Sequence, residues 1–257
     1  SAEVDYSNTA EGYVMAKYTG SNAKVKLQIT GPNKVTYTYS LSKSRGWDAF
    51  PLTAGSGSYT LNIFENIGGS QYALALGTSF SAQLSSALLP YLYPNQYVGF
   101  TSQSTAVAKG EALAAAAATE LEVVGNAYNY VIGNVRYDDD KAAKVADGRI
   151  AAPYLPSPDA TLSEQKGICF DYAALMATML RTQNIPTRME LGYVSGGIYH
   201  AWISVYITEI GWVNGMIQFD GAGWKLMDPT FASSGGSSAQ IQQFIGNGSN
   251  YTTKFVY

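Results

Sequence analysis

The chain offers one thiol and one imidazole, because Cys169 is its only cysteine and His200 its only histidine. A cysteine nucleophile needs thiolate character, a base that takes its proton, and a third group that holds the base in the correct tautomer. Asp228 has the chemistry for the third role. The three residues therefore predict a catalytic triad in which Cys169 attacks, His200 is the base and Asp228 orients that histidine.

Cys169 stands where a loop becomes a predicted helix. Free backbone N–H groups and the helix dipole stabilise a negative sulfur at such a position, so the sequence predicts a lowered pKa for the Cys169 thiol. The same N–H groups could bind a developing oxyanion. Gly167 permits a close approach of the backbone just before the helix. The alternative, open to any lone cysteine, is a buried and inert thiol.

His200 lies within a predicted strand, whose alternation places it on one face with Trp202 and Ser204. Asp228 directly follows a predicted strand over residues 224–227, and a carboxylate at a strand end can reach an imidazole on a neighbouring strand. A role as a turn former before Pro229 is the alternative for Asp228. A helix-borne Cys, a mid-strand His and a strand-end Asp form the papain-type geometry.

Several fragments, in this order and spacing, resemble the transglutaminase-like domain of bacterial proteins over roughly residues 105–235. The fragments are Gly167-Ile168-Cys169-Phe170-Asp171-Tyr172-Ala173, Arg181 with Asn184-Ile185-Pro186-Thr187-Arg188, Gly192-Tyr193, His200-Ala201-Trp202, and Asp228-Pro229-Thr230. The resemblance implies that Cys169, His200 and Asp228 form the family's triad. It also implies attack on an amide carbonyl to give a thioester, which water or an amine then resolves.

The chain departs from that pattern after the His-Ala-Trp fragment, where many relatives carry an acidic or amide residue and this chain has Ile203-Ser204. The family also implies an upstream side chain that completes the oxyanion hole. Two candidates stay open for that role, Tyr137 and Gln165.

Aromatic residues near the triad are the candidates for a substrate cleft. They are Tyr193, Tyr199 and Trp202, together with the loop over residues 154–156. Trp202 is equally explained as a core residue. Asp171 and Tyr172 are explained by a carboxylate in the first turn of a helix and by a packed aromatic ring, and we assign them no catalytic role. A zinc site fails because one Cys and one His are too few nitrogen and sulfur ligands.

The elements that would position these residues fall into two predicted domains with α+β character. Residues 1–80 alternate polar and apolar positions in short runs, which predicts an antiparallel β-sandwich. Residues 81–103 form a connector with a short helix near residues 82–89. Residues 104–257 form a papain-like, transglutaminase-like domain, in which the helix that bears the cysteine packs on an antiparallel sheet.

Within residues 104–257, strong helix formers and apolar positions at spacings of three and four predict helix over residues 105–134. The acidic run Asp138 to Asp140 predicts a helix start rather than a cation site. A further helix covers residues 169–183. Strands are predicted over residues 187–194, 199–208, 212–219 and 224–227, followed by a short helix over residues 238–245.

Composition bounds the partners of this 257-residue chain. The net charge is −3 with no Lys/Arg cluster, which argues against nucleic acid and anionic membranes. No apolar run reaches the roughly 20 residues of a membrane-spanning helix. The neutral polar composition, rich in Tyr and Gly, predicts a secreted or cell-surface protein, whose signal peptide would be absent from this chain because it was removed or not included. Neither a metal nor an organic cofactor is implied, and the oligomeric state stays open.

These patterns favour a cysteine enzyme that hydrolyses a peptide or isopeptide amide through a thioester. The substrate would be a peptide, a protein or the peptide part of peptidoglycan. A cross-linking transamidase is the first alternative. The second is a surface-binding or adhesion protein that uses the same fold as a scaffold without turnover.

Overall fold

The computed structural model describes residues 1–150, 152–194, 197–213, 217–219, 224–226 and 251–257. The chain divides into two compact units, Ser1–Gln96 and Tyr97–Tyr257. The predicted domain bounds at residues 80 and 104 stay a prediction. Across the described ranges, no helix has the length and apolar character that crossing a membrane requires.

The first unit is built from two antiparallel sheets. Its strands are β1 (Ala2–Asp5), β2 (Tyr13–Tyr18), β3 (Val25–Thr30), β4 (Thr36–Leu41), β5 (Asp48–Pro51), β6 (Gly57–Gly68) and β7 (Gln71–Ala82). One sheet has the order β1-β2-β5 and the other the order β4-β3-β6-β7. The predicted α+β class, with an antiparallel β region at the amino end, is confirmed.

Alternation in the sequence decides which face is buried in β2, β3 and the first part of β6. In β3 the side chains of Val25, Leu27 and Ile29 are buried, and the residues between them are partly exposed. The rings of Tyr39 in β4 and Phe50 in β5 meet edge to face with their centroids 4.9 Å apart, which joins the two sheets. Each such apolar side chain contributes on the order of 2 kcal/mol relative to leaving it exposed.

The predicted helix near residues 82–89 is wrong. Strand β7 continues to Ala82, and the first helical turn after it is the 3-10 turn Leu89–Tyr91. The reason is that the intervening N–H groups bond outside their own segment. The N–H of Leu84 donates to Oγ of Ser56 at 3.0 Å, and that of Ser85 donates to the carbonyl of Ala10 at 2.8 Å.

The second unit begins with helices that surround one buried helix. In chain order they are α1 (Thr105–Ala114), α2 (Glu120–Asn134), strand β8 (Arg136–Tyr137), α3 (Asp139–Ala146), α4 (Pro158–Glu164), strand β9 (Lys166–Gly167) and α5 (Cys169–Arg181). Helices α1, α2 and α4 all pack against α5. The predicted start of α3 is confirmed, since a carboxylate oxygen of Asp138 accepts from the N–H of Lys141 at 2.9 Å.

Two helices, α1 and α2, occupy the range 105–134 that is predicted as helical, and the turn between them was not predicted. Oγ1 of Thr119 accepts from the N–H of Glu122 at 3.2 Å and starts α2. The alanines before Thr119 favour helix by propensity, but α1 and α2 pack against each other and the chain must turn between them. Tertiary packing therefore overrides local propensity here.

The sheet that carries the predicted histidine follows α5. Its described strands are β10 (Thr187–Val194), β11 (Ile198–Ile207), β12 (Gly211–Val213) and β15 (Tyr251–Val256), in the order β12-β11-β10-β15, while β13 (Ile217–Phe219) and β14 (Trp224–Leu226) form a separate pair. Two strands occupy the range predicted as a single strand over 212–219. Strand β15 was not predicted, and the helix predicted over 238–245 lies outside the described residues.

Arg181, at the end of α5, links this helix to the sheet by hydrogen bonds. Its side chain is only 2% exposed. Nε and Nη2 donate to the carbonyl of Thr187 at 3.0 and 2.7 Å, and Nη2 also donates to the carbonyl of Tyr257 at 2.7 Å. On the other side of α5, a Cβ at Gly110 would lie 2.9 Å from Cα of Met179, so only glycine allows α1 to approach this closely. These contacts set the position of Cys169 relative to β10 and β11.

Candidate active site around Cys169

Cys169 is the first residue of α5 and carries a free thiol. Ile168 precedes it in an extended conformation, and the carboxylate of Asp171 accepts the Ile168 N–H at 2.8 Å. The side chain is 8% exposed and contributes to the wall of a cavity. The predicted position of the thiol at a helix start is therefore confirmed.

The predicted lowering of the thiol pKa is wrong. Burial raises the pKa of Cys169 to about 11, because removal from water disfavours the thiolate. Backbone N–H groups of Ala201, Phe170 and Cys169 itself act in the opposite direction, and the negative charge of Asp171 adds to the rise. The helix start stabilises the sulfur as predicted, but desolvation is the larger effect. At pH 7 the resting residue is a neutral thiol.

His200 lies in β11 opposite Gly192 of β10 and is 6% exposed. Burial lowers the pKa of its imidazole to about 4, so the ring is neutral at pH 7 and able to accept a proton. The backbone of Ala201, the residue after it, is close enough to the sulfur of Cys169 to lower the thiol pKa. The fold thus brings the cysteine next to the strand segment that carries the histidine.

The orienting group of the predicted triad is not described by the structure. Asp228 lies outside the described residues, and its role stays a prediction. Nε2 of His200 is buried and has no hydrogen-bond partner among the described residues. A buried nitrogen without a hydrogen-bond partner destabilises the fold by on the order of 1–3 kcal/mol. A hydrogen-bond acceptor or donor beside Nε2 would remove this cost.

Of the two residues considered for the oxyanion hole, the structure brings Tyr137 to the cavity. Tyr137 pairs with Gly167 through the parallel bridge between β8 and β9, two positions before the cysteine. Burial, with the nearby Cys169, raises the pKa of Tyr137 to about 12, so the phenol keeps its proton and can donate. Gln165 ends α4 in a left-handed conformation with φ of 53°, and its side chain is exposed.

The cavity beside the thiol has a volume of about 570 Å³. Its described lining is mostly aromatic or aliphatic: Tyr97, Tyr137, Ala142, Val145, Ala146, Ala152, Pro153, Tyr154, Ile168, Cys169, Phe170, Leu191 and Tyr199. Tyr199 and Tyr154 were both predicted to border a cleft. Tyr193 is 38% exposed and contacts the ring of Tyr199 at 5.4 Å, whereas Trp202 is 3% exposed and belongs to the core.

Asp171 has a larger part in the site than its sequence context suggested. The side chain is 1% exposed, and besides the Ile168 N–H it accepts from Nζ of Lys141 at 3.1 Å and from the hydroxyl of Tyr154 at 2.5 Å. It therefore joins α3, the loop that carries Tyr154, and the start of α5. A Cβ at Gly167 would lie 2.6 Å from Cβ of Asp171, which confirms the predicted close approach at this glycine.

The sequence signal for Asp171 was its place in the first turn of α5, where a carboxylate faces the helix dipole. That signal indicates a cap, but the partners Lys141 and Tyr154 lie 30 and 17 positions away along the chain and carry no local pattern. Within the described ranges, no three His, Cys, Asp or Glu side chains gather in a way that could hold a metal ion.

Comparison with known proteins agrees with the resemblance that the sequence fragments indicate. Residues 108–229 match the model of the transglutaminase-like superfamily. UPF0252 protein MJ1282 of Methanocaldococcus jannaschii is 30% identical over 92 residues, which cover 34% of this chain and 26% of that protein. The chain thus spans about a quarter of the length of this curated relative.

Two solved structures are similar at low sequence identity. One is a protein of Cytophaga hutchinsonii, provisionally assigned as a cysteine protease, with a TM-score of 0.42 and 15% identity over 94% of this chain and 73% of that chain. The other is the periplasmic domain of TgpA from Pseudomonas aeruginosa bound to ethylmercury, with a TM-score of 0.32 and 14% identity over 94% of this chain and 98% of that chain. The family match supports a transglutaminase-like domain over residues 108–229 of this chain.

Proposed function

We propose that the protein is a cysteine enzyme that cleaves a peptide or isopeptide amide bond through a thioester on Cys169. The observation that carries the proposal is the thiol at the start of α5, in the wall of a cavity. The backbone of Ala201, the residue after His200, is near enough to lower the pKa of that thiol. A neutral imidazole can act as general base for a neutral thiol, and the proposal assigns these roles to His200 and Cys169.

In the first step, Sγ attacks the amide carbonyl as the imidazole of His200 takes the thiol proton. With pKa values of about 11 for the thiol and about 4 for the imidazole, a thiolate–imidazolium pair is not the resting state. Proton transfer must therefore accompany the attack. In this proposal the carboxylate of Asp228 accepts a hydrogen bond from the other imidazole N–H and stabilises the imidazolium that forms.

The tetrahedral intermediate carries a negative oxygen that needs donors. The backbone N–H of Cys169, at the free end of α5, is one, and the hydroxyl of Tyr137 is the other. The intermediate then collapses, the C–N bond breaks, and the imidazolium returns its proton to the leaving amine. Water, deprotonated by the imidazole, hydrolyses the thioester and restores the thiol. We take hydrolysis as the outcome because water needs no second binding site, whereas transamidation needs a site for an amine.

The experiment is to incubate the protein and Cys169→Ala with a mixed peptide library in the presence of a labelled primary amine. Cleaved peptides with the wild-type chain alone support a hydrolase. Incorporation of the amine without cleavage would replace hydrolysis by cross-linking. If the protein neither cleaves peptides nor incorporates the amine at any pH from 5 to 10, the enzyme is rejected.

A secreted or cell-surface location belongs to the same proposal, supported by the low content of charged residues at 14%.

One observation favours a second candidate, a binding protein without turnover. The groups that lower the thiol pKa are backbone N–H groups, and burial still raises it to about 11. Iodoacetamide labelling against pH separates the two in His200→Ala: a base that assists the thiol makes the wild-type chain react faster than this variant near neutral pH. Equal rates in the two proteins would favour the scaffold.

A further inference from the structure

The wall of the cavity beside Cys169 is free of charge along all thirteen described residues that line it. One face of α3 contributes Ala142, Val145 and Ala146, at the spacing of three and four that places side chains together on a helix. Aromatic rings supply much of the remaining wall. A volume of about 570 Å³ lies within the range of roughly 300–1,000 Å³ that is typical of pockets for small ligands.

Two charged groups beside this wall, Lys141 and Asp171, are paired with each other. Nζ of Lys141 lies 3.1 Å from the carboxylate of Asp171, and Asp171 also holds the hydroxyl of Tyr154. Because this bond uses the Tyr154 hydroxyl as a donor, the ring forms part of the wall while its proton points to Asp171. A charged group that entered the cavity would therefore lose water without gaining an ionic partner from these residues.

The aromatic rings also contact each other around the opening. The centroids of Phe170 and Tyr199 are 6.2 Å apart, and those of Tyr154 and Phe170 are 6.3 Å apart in an edge-to-face arrangement. Such an arrangement leaves ring faces and edges available to another aromatic or aliphatic group. Ala152 and Pro153 are exposed, so the cavity connects with solvent on their side.

From this wall we infer that the cavity binds a bulky aromatic or aliphatic side chain of the residue whose carbonyl is attacked by Cys169. The inference rests on the proposed function and gives it a substrate class: peptides with an apolar residue on the acyl side of the cleaved bond. Peptides with an acidic or basic side chain at that position, such as acidic peptides of a cell-wall polymer, are poor substrates. The expected discrimination is roughly 10- to 100-fold.

The test measures alkylation of Cys169 by chloroacetamides, so that it does not depend on turnover. Four probes carry the side chain of phenylalanine, leucine, glutamate or lysine, and each rate at pH 9 is divided by the rate of the same probe with glutathione. The expected normalised rates for phenylalanine and leucine exceed those for glutamate and lysine at least tenfold. Equal normalised rates for all four probes would overturn the inference.

A matched pair of variants locates the preference in this cavity. Ala146 lines the cavity and is otherwise exposed at the end of α3, so a charge there leaves the fold intact. In Ala146→Lys the glutamate probe gains about three- to tenfold over the lysine probe, and in Ala146→Glu the order is reversed. Ala143→Lys, at an exposed position of α3 outside the cavity lining, keeps the wild-type preference. Ratios unchanged in both Ala146 variants would place the preference elsewhere and refute the assigned cavity.

The two proposals fail in different ways. A labelling preference for apolar probes, combined with no peptide cleavage that depends on Cys169, rejects the enzyme but leaves an apolar binding site at the thiol. Cleavage that depends on Cys169 but ignores the side chain on the acyl side keeps the enzyme and rejects the substrate class. Cleavage after aromatic or aliphatic residues, lost in Cys169→Ala, is the result expected if both are correct.

Discussion

The units Ser1–Gln96 and Tyr97–Tyr257 bury different kinds of side chain. All residues of the first unit are described, and its buried residues include no Asp, Glu, Lys, Arg or His. The second unit buries charged or titratable groups at several places among its described residues: Asp138, Asp171, Arg181, Glu190 and His200.

The difference shows where each unit obtains its stability. In the first unit, alternating strands bring apolar faces together, and each side chain contributes largely by itself. In the second unit, buried polar groups need partners from distant parts of the chain, and removal of one partner leaves the other unsatisfied. The polar burial of the second unit lies around α5, the helix that also carries the thiol. In the second unit, the residues that stabilise the fold therefore surround the residues of the candidate active site.

The largest expected effect comes from Arg181→Met. The change removes at least the three described hydrogen bonds to buried backbone carbonyls, and we expect a loss of about 3–5 kcal/mol in the free energy of unfolding. Urea denaturation followed by circular dichroism measures it. The control is Arg45→Met in the first unit, where a partly exposed pair with Asp48 is worth less than about 1 kcal/mol. Equal losses in the two variants would contradict the comparison.

The second effect is a loss of stability in acid caused by His200. Its pKa is about 4 in the folded chain, below the ordinary value of 6.5, so the unfolded chain binds more protons between these values. Because the buried ring stays neutral, the folded chain keeps its full stability above pH 6.5. It loses about 3 kcal/mol of that stability as the pH falls from 6.5 to 4. Denaturant midpoints across this range should fall less in His200→Gln. The same slope in both proteins would mean that the imidazole is not buried.

A third, smaller effect concerns the carboxylate that joins α3, the loop of Tyr154 and α5. Asp171→Asn keeps the shape but removes the charge opposite Lys141, and we expect a loss of about 2 kcal/mol. Tyr154→Phe removes one hydrogen bond and keeps the ring, with a loss of about 1 kcal/mol. Thermal denaturation of both variants gives the order. A loss in Tyr154→Phe as large as in Asp171→Asn would show that the hydroxyl, not the ion pair, holds the carboxylate.

The smallest effect is local and tests a helix cap. Thr119→Ala removes the oxygen that accepts the Glu122 N–H at the start of α2, at a cost of about 1 kcal/mol. Thr105→Ala, at the exposed first position of α1, is the matched control and should change stability by less than about 0.5 kcal/mol. If the two variants unfold at the same urea concentration, the break between α1 and α2 has another cause than the cap.

The sequence predicted the strand faces of the first unit well, because alternation is a local signal. It also predicted the starts of α3 and α5, where Asp138 and Cys169 stand at helix ends. It missed strand β15, which pairs with β10 across a sequence separation that no local pattern reveals. The turn between α1 and α2 was missed for a related reason, since the packing of two helices outweighs the propensity of the alanines.

The candidate site shows the same distinction between what local sequence predicts and what tertiary packing decides. Residue types and their order determined that Cys169 and His200 are the pair to consider, since the chain has one of each and the fragments around them match one family over residues 108–229. Only the tertiary structure decided the chemical state of that pair. Burial from several elements sets the thiol pKa at about 11 and the imidazole pKa at about 4, against the local effect of a helix start. The solvent exposure of an atom depends on everything packed around it, which no single segment of sequence specifies.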